Sequence, residues 1–169
     1  LLLDVARSNN HYSDDSPEIT NLTALNNLLE IRKIRYHEEM KSIVVELGNT
    51  VELLSKKIGL KPAYKWKVFV HPDSRLEMIN RVQFILHPTF TDRVVSIHKA
   101  PFECERIGWG TFPVKVTMFL NPGYTVRKID SSDTLEGTGV FSATVEWVVD
   151  LKFADGGSSM TCKLQVLQK

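Results

Sequence analysis

"SATVEWVVDLKF", Ser142 to Phe153, decides the fold class. Ala143, Val145, Trp147, Val149, Leu151 and Phe153 occupy every second position. Side chains alternate across a strand, so these six form one apolar row and the residues between them face the other way. "ADGGSS" follows, and its Asp-Gly-Gly content predicts a tight hairpin into "MTCKLQVL", Met160 to Leu167.

The same period recurs upstream. In "YKWKVFV", Tyr64 to Val70, the residues Trp66, Val68 and Val70 oppose Lys65, Lys67 and Phe69. "RVQFILH" puts Val82, Phe84 and Leu86 on one face, and "PVKVTMFL" does so with Val114, Val116, Met118 and Leu120. "SIVVELGNTVELL", Ser42 to Leu54, reads as two short strands about a Gly48-Asn49 turn. About six to eight short strands with turn punctuation predict an all-β sandwich, in which loops cluster at the two ends and carry function.

Ahead of the strands the period is 3.6. Ser16-Pro17-Glu18 combines a capping hydroxyl, proline at the first helical position and an acid against the helix dipole. Leu22, Leu25, Leu28 and Leu29 then recur at helical spacing, and "EIRKIRYHEEM" adds a charged face. The expected organisation is an irregular leader over 1–16, an N-terminal helix over 17–40 and a β-sandwich over 41–169. The opening "LLLDVARSNN" lacks Met and is too short and acidic for a signal peptide, so it reads as the cut edge of a longer protein.

The 169 residues suffice for one domain with a sizeable core. The 21 basic residues nearly balance the 20 acidic ones, for a net charge of +1, which argues against direct nucleic-acid binding through phosphate neutralisation. No run of about 20 apolar residues predicts a membrane span. Cys104 and Cys162 are too few for a disulfide framework and predict free thiols in a reducing compartment. They also lack the intervening Trp of an antibody-type domain.

Catalytic and metal signatures are missing. There is no P-loop, dinucleotide fingerprint, Cys-x-x-Cys or His-Glu-x-x-His, and the five histidines show no ligand spacing. A nucleophilic pair of Cys104 with His87 or His98 has no supporting signature. The expectation is therefore no enzyme, no metal and no cofactor.

What remains is a loop constellation: His87, Thr89 and Phe90 from "LHPTF", then Gly108, Trp109, Gly110 and Phe112 from "GWGTF". An indole on a turn flanked by glycines does nothing for the turn. Glycine gives positive φ or close backbone access, and Trp109 then offers an aromatic face to something the chain does not provide. The plainer alternative is that Phe90 and Trp109 cap the end of the sandwich core.

Residues from about Met40 to Leu167 resemble the YEATS domain, a family of histone-tail readers in chromatin-modifying and transcription complexes. "YKWKVFV", "RVQFILHPTF" and "KAPFECERIGWGTFPVKVTMFL" carry the resemblance. "KSIVVELGNTVELL" and "LEGTGVFSATVEWVVDL" are similar to the branch found in the ATAC acetyltransferase complex. The resemblance implies an immunoglobulin-like sandwich, a nuclear location, and binding of acetyl- or crotonyl-lysine of a histone tail in an end-loop slot. By position, Phe90 and Trp109 would be the walls, and the Thr89 hydroxyl would pair with the acyl-lysine N–H. The Trp109 backbone N–H would meet the acyl oxygen, His87 would buttress Thr89, and Gly108, Gly110 and Phe112 would shape the floor. Implied partners are an acylated histone tail and other subunits of a chromatin complex.

Departures from the family pattern are specific. Pro62, with Tyr64 nearby, stands where some readers place a slot-closing aromatic, and Thr89 stands where several have serine. Asp130, Asp133 and Glu136 would be acids available to a basic tail in a loop that does not align. Two rival readings stay open: a scaffold with the same fold that binds no acyl group, and a methyl-lysine cage supported by cation–π attraction.

Overall fold

The alternating rows become strands. The computed structural model describes residues 17–129 and 139–169, with side chains of the helix described over 21–34. Those residues contain one α-helix, α1 (Pro17–Glu39), and nine strands: β1 (Met40–Ile58), β2 (Lys61–Pro72), β3 (Ile79–Ile85), β4 (Val94–Ile97), β5 (Phe102–Gly108), β6 (Pro113–Leu120), β7 (Tyr124–Ile129), β8 (Thr144–Asp150) and β9 (Gly157–Gln168). All pairings are antiparallel. One sheet has the order β5-β2-β1-β9-β7 and the other β4-β3-β6-β8. The chain divides into two units between Glu38 and Glu39.

The rows predicted to be apolar supply the core. Trp66, Val68 and Val70 of one sheet are fully buried, as are Val82, Phe84, Val114, Val116 and Met118 of the other. Val145, Trp147, Val149 and Leu151 also point inward, whereas Ala143 precedes β8 and is exposed. Facing sheets of this kind, closed by interdigitated branched and aromatic side chains, make an immunoglobulin-like sandwich.

Two local expectations are corrected. Gly48-Asn49 is not a turn: β1 runs unbroken for 19 residues, and Gly48 lies opposite Phe69 of β2 and Ser159 of β9. The glycine is there because a Cβ at this position would come within 2.1 Å of the Ser158 carbonyl oxygen. Asn49 is 1% exposed; its amide donates to the Lys152 carbonyl and its oxygen accepts the Lys152 N–H. Nor is "ADGGSS" a hairpin. Asp155, Gly156 and Gly157 do take positive φ, but β8 belongs to one sheet and β9 to the other. The turn carries the chain across the sandwich, where β9 inserts between β1 and β7.

The helix ends at Glu39, one residue before the predicted limit, and strand begins at Met40. Along it, Leu22, Leu25, Leu28, Leu29, Ile31 and Ile34 are all exposed. The capping hydroxyl of Ser16, the leader over 1–16, and Asp130, Asp133 and Glu136 lie outside the described residues. Cys104 is buried and Cys162 half-buried, both as free thiols. No helix among the described residues is long and apolar enough to cross a membrane.

Candidate functional site

Three segments meet at one end of the sandwich. The chain leaving β3 forms a turn over residues 87–90, closed by the Phe90 N–H donating to the His87 carbonyl at 3.0 Å. The chain leaving β5 carries Gly108 to Phe112 into β6, and the β1–β2 hairpin contributes Ile58. Together they enclose a cavity of about 440 Å³, within the size range of small-ligand sites. All seven residues singled out in the sequence line it: His87, Thr89, Phe90, Gly108, Trp109, Gly110 and Phe112.

The wall is anchored from beneath by Trp66. Its indole is wholly buried and meets the edges of Phe90 and Phe112 at centroid distances of 5.9 and 5.6 Å, with planes near perpendicular. Phe90 and Phe112 in turn contact each other at 5.7 Å. Edge-to-face packing of this sort fixes ring orientation as well as burying area. Phe90 and Phe112 are thus half in the core; of the two residues in the plainer alternative, Phe90 packs on the core. Trp109 does not: it is 51% exposed, and among the described residues no aromatic ring packs against it.

Gly108 serves close approach rather than unusual backbone. Neither Gly108 nor Gly110 has positive φ. A Cβ on Gly108 would lie 3.2 Å from Trp66 Nε1 and 3.9 Å from Phe90 Cζ, whereas one on Gly110 would meet nothing. Gly108 therefore lets the turn lie against the buried indole and leaves the cavity open above it.

The polar side chains on the cavity are those of His87, Thr89 and Thr111, and the first two are linked. The Thr89 backbone N–H donates to His87 Nδ1 at 3.3 Å, and the Thr89 hydroxyl lies 2.9 Å from the same nitrogen. A backbone N–H can only donate, so Nδ1 is an acceptor and the hydroxyl proton points to it. Both lone pairs of Thr89 Oγ1 are left for a donor arriving from the cavity. Most of the remaining side-chain surface is apolar: Ile58, Ile107 and the aromatic rings.

The structure adds residues that sequence reasoning missed. Ile58 and Ile107 are aliphatic walls, and Thr111 completes the rim. Ile58 comes from the hairpin whose second strand holds Pro62, where the family pattern suggested an aromatic. Neither Pro62 nor Tyr64 lines the cavity; Tyr64 packs on Phe153 at 4.5 Å instead. Lys61 lies with its ammonium 3.2 Å above the centre of the Trp109 ring. Cys104 is sequestered in the core, and burial pushes its thiol pKa up, so it is held as a neutral thiol. Among the described residues no cluster of potential metal ligands occurs.

Comparison with known proteins agrees with this architecture. Residues 61–135 match the YEATS family. The chain is 26% identical over 121 residues to transcription initiation factor TFIID subunit 14b of Arabidopsis thaliana, covering 66% of this chain and 44% of that protein. It is 32% identical over 83 residues to the AF-9 homolog of Saccharomyces cerevisiae, covering 43% and 35%. It therefore spans less than half the length of these curated relatives. Among solved structures, the Yaf9 YEATS domain recognising an H3K122suc peptide superposes with a TM-score of 0.57 at 20% identity, over 75% of this chain and 84% of that one. The Yaf9 YEATS domain bound to H3K27ac gives a TM-score of 0.57 at 20% identity, over 77% and 88%. These structural likenesses speak to the fold. Over residues 61–135 the chain matches the YEATS family, and its sandwich has the fold of the Yaf9 YEATS domains.

Proposed function

We propose that this chain is a non-catalytic reader of acylated lysine on histone tails, working in the nucleus as part of a chromatin complex. The observation that carries the reading is the single cavity in which an exposed indole, a half-buried phenyl ring and a hydroxyl with free lone pairs converge. In this reading the acyl amide lies between Phe90 and Trp109. Its N–H donates to Thr89 Oγ1, and its oxygen accepts the Trp109 backbone N–H. Gly108, Gly110 and Phe112 shape the floor. The related Yaf9 structures, by their own descriptions, hold acetylated and succinylated histone H3 peptides, which supports a histone tail as the partner here.

The chemistry favours an acylated over an unmodified lysine. An ammonium entering the apolar cavity would lose its water with no carboxylate on the wall to pair with, which costs several kcal/mol. Acylation removes the charge and supplies a planar amide, and stacking on the two rings adds about 0.5–1.5 kcal/mol beyond burial. A crotonyl group extends the stacked plane.

The test is a titration of one histone-tail peptide in unmodified, acetylated, crotonylated and trimethylated forms, followed by tryptophan fluorescence. Binding confined to the acyl forms and lost in Trp109→Ala supports the reading; preference for trimethyl-lysine overturns it in favour of a cage. A scaffold role is favoured by a separate observation, the exposed row of Leu22, Leu25, Leu28 and Leu29 on α1. Indifference to all acyl forms, with retained capture of complex subunits by α1, would select it.

A further inference from the structure

Trp109 is half-exposed, and Lys61 lies over one of its faces. Lys61 opens β2 directly opposite Ile58 of β1, across a two-residue turn, Gly59-Leu60, in which Gly59 takes φ +60. A two-residue loop with glycine first is a tight connection, so the reach of both flanking side chains is fixed by the hairpin. Ile58 becomes a cavity wall. Lys61 places its ammonium 3.2 Å above the Trp109 ring without joining that wall. Lys61 covers one face of the indole and is not among the cavity-lining residues, which leaves the other face for a ligand.

We infer that Lys61 is a specificity-determining residue, whose ammonium on the outer face of Trp109 turns the cavity against cationic lysines. The inference rests on the acyl-lysine reading of the site. An aromatic face attracts a cation through its quadrupole. Here that attraction is already taken up. A second cation, from unmodified or methylated lysine on the inner face, would meet a ring whose electron density is drawn outward and would be repelled by the charge behind it. A neutral acyl amide suffers neither penalty. Lys56 and Lys57 lie exposed in the same hairpin, and among the described residues no carboxylate ion-pairs with any of the three. The charge over Trp109 is thus not neutralised by a direct ion pair.

Phe90 and Phe112 are held by Trp66, whereas Trp109 has no aromatic neighbour among the described residues and Lys61 lies against its ring.

Two measurements on the same variants test this. Lys61→Met keeps the aliphatic stem and removes the charge; Lys61→Arg keeps a cation. With one histone-tail peptide in acetylated and trimethylated forms, the wild type is expected to prefer the acetyl form. Lys61→Met should narrow that preference roughly three- to tenfold, chiefly by better binding of the trimethyl form, and Lys61→Arg should retain it. Added salt should erode the preference of the wild type more than that of Lys61→Met. In the free proteins, the Trp109 indole N–H resonance, assigned by its loss in Trp109→Ala, should shift in Lys61→Met and return toward its original position in Lys61→Arg. An unchanged preference in Lys61→Met overturns the specificity role, and an unmoved indole resonance overturns the contact. A wild type that binds no acyl peptide overturns the reading on which the inference rests, and does so before any variant is compared.

Discussion

His87 Nδ1 receives both hydrogens that Thr89 can offer, the backbone N–H at 3.3 Å and the hydroxyl at 2.9 Å. The imidazole therefore positions Thr89 as well as lining the cavity itself. Thr89→Val is nearly isosteric and removes the only side-chain hydroxyl this pair presents; it should weaken an acetyl-lysine peptide about tenfold, since it leaves the ligand N–H unpaired in a desolvated site. Thr89→Ser should remain within a few-fold of wild type. Isothermal titration with the acetylated peptide checks both, and equal binding by Thr89→Val would remove the hydroxyl from the site.

Trp109 and Trp66 should part company when truncated. Trp109 is half-exposed and contributes little to the core, so Trp109→Ala should abolish peptide binding while shifting the urea midpoint only slightly. Trp66 is wholly buried under Phe90 and Phe112, and Trp66→Ala should cost about 3–5 kcal/mol. A Trp109→Ala protein as destabilised as Trp66→Ala would mean that the turn is a cap on the core and not a binding wall.

The period-two rows were legible because they are local: Val145, Trp147 and Val149 each face inward whatever the strand's partners turn out to be. Pairing is not local, and there the sequence misled. Gly48-Asn49 has the chemistry of a turn, yet its glycine answers a carbonyl about 110 residues away and its asparagine answers Lys152. "ADGGSS" has the positive-φ residues of a hairpin, yet those same residues serve a crossing between sheets. The site followed the same division. His87 to Phe90 and Gly108 to Phe112 announce themselves as residue types with no structural use where they stand. Ile58 and Lys61 do not, because their reach depends on how far β1 and β2 run past the sheet.

Gly48 makes the non-local constraint testable. With the Ser158 oxygen 2.1 Å from a would-be Cβ and the Ser159 Cα at 2.7 Å, no side-chain movement can relieve the clash, and β9 must shift as a strand. Gly48→Ala should therefore destabilise by on the order of 3 kcal/mol, at or above the usual cost of overpacking. The urea midpoint should fall with an unchanged slope, the mark of lost stability without a change in the surface exposed on unfolding. Were Gly48 a turn residue, alanine there would be far milder.

Glu103 gives the sandwich a pH dependence of defined sign. On β5, its carboxylate accepts from the Lys67 ammonium of β2 at 2.9 Å and lies 3.1 Å from His71 Nε2. The Lys67 hydrogen bond, aided by His71, holds the Glu103 pKa below its ordinary value of 4.5, against a smaller opposing effect of burial. The same pairing raises Lys67 above its ordinary 10.5. For a carboxylate depressed in the folded state, the unfolded chain binds more protons as pH falls, so the stabilisation is complete above the unfolded value and is lost as pH drops through the folded one. Wild type and Glu103→Gln should then differ by a constant, small amount in urea midpoint from neutral pH down to about pH 5. The gap should close progressively below 4.5, as the wild-type carboxylate becomes protonated and loses its charge-assisted bond. A gap that stayed constant down to pH 3 would show that the β2–β5 pairing draws nothing from this ion pair.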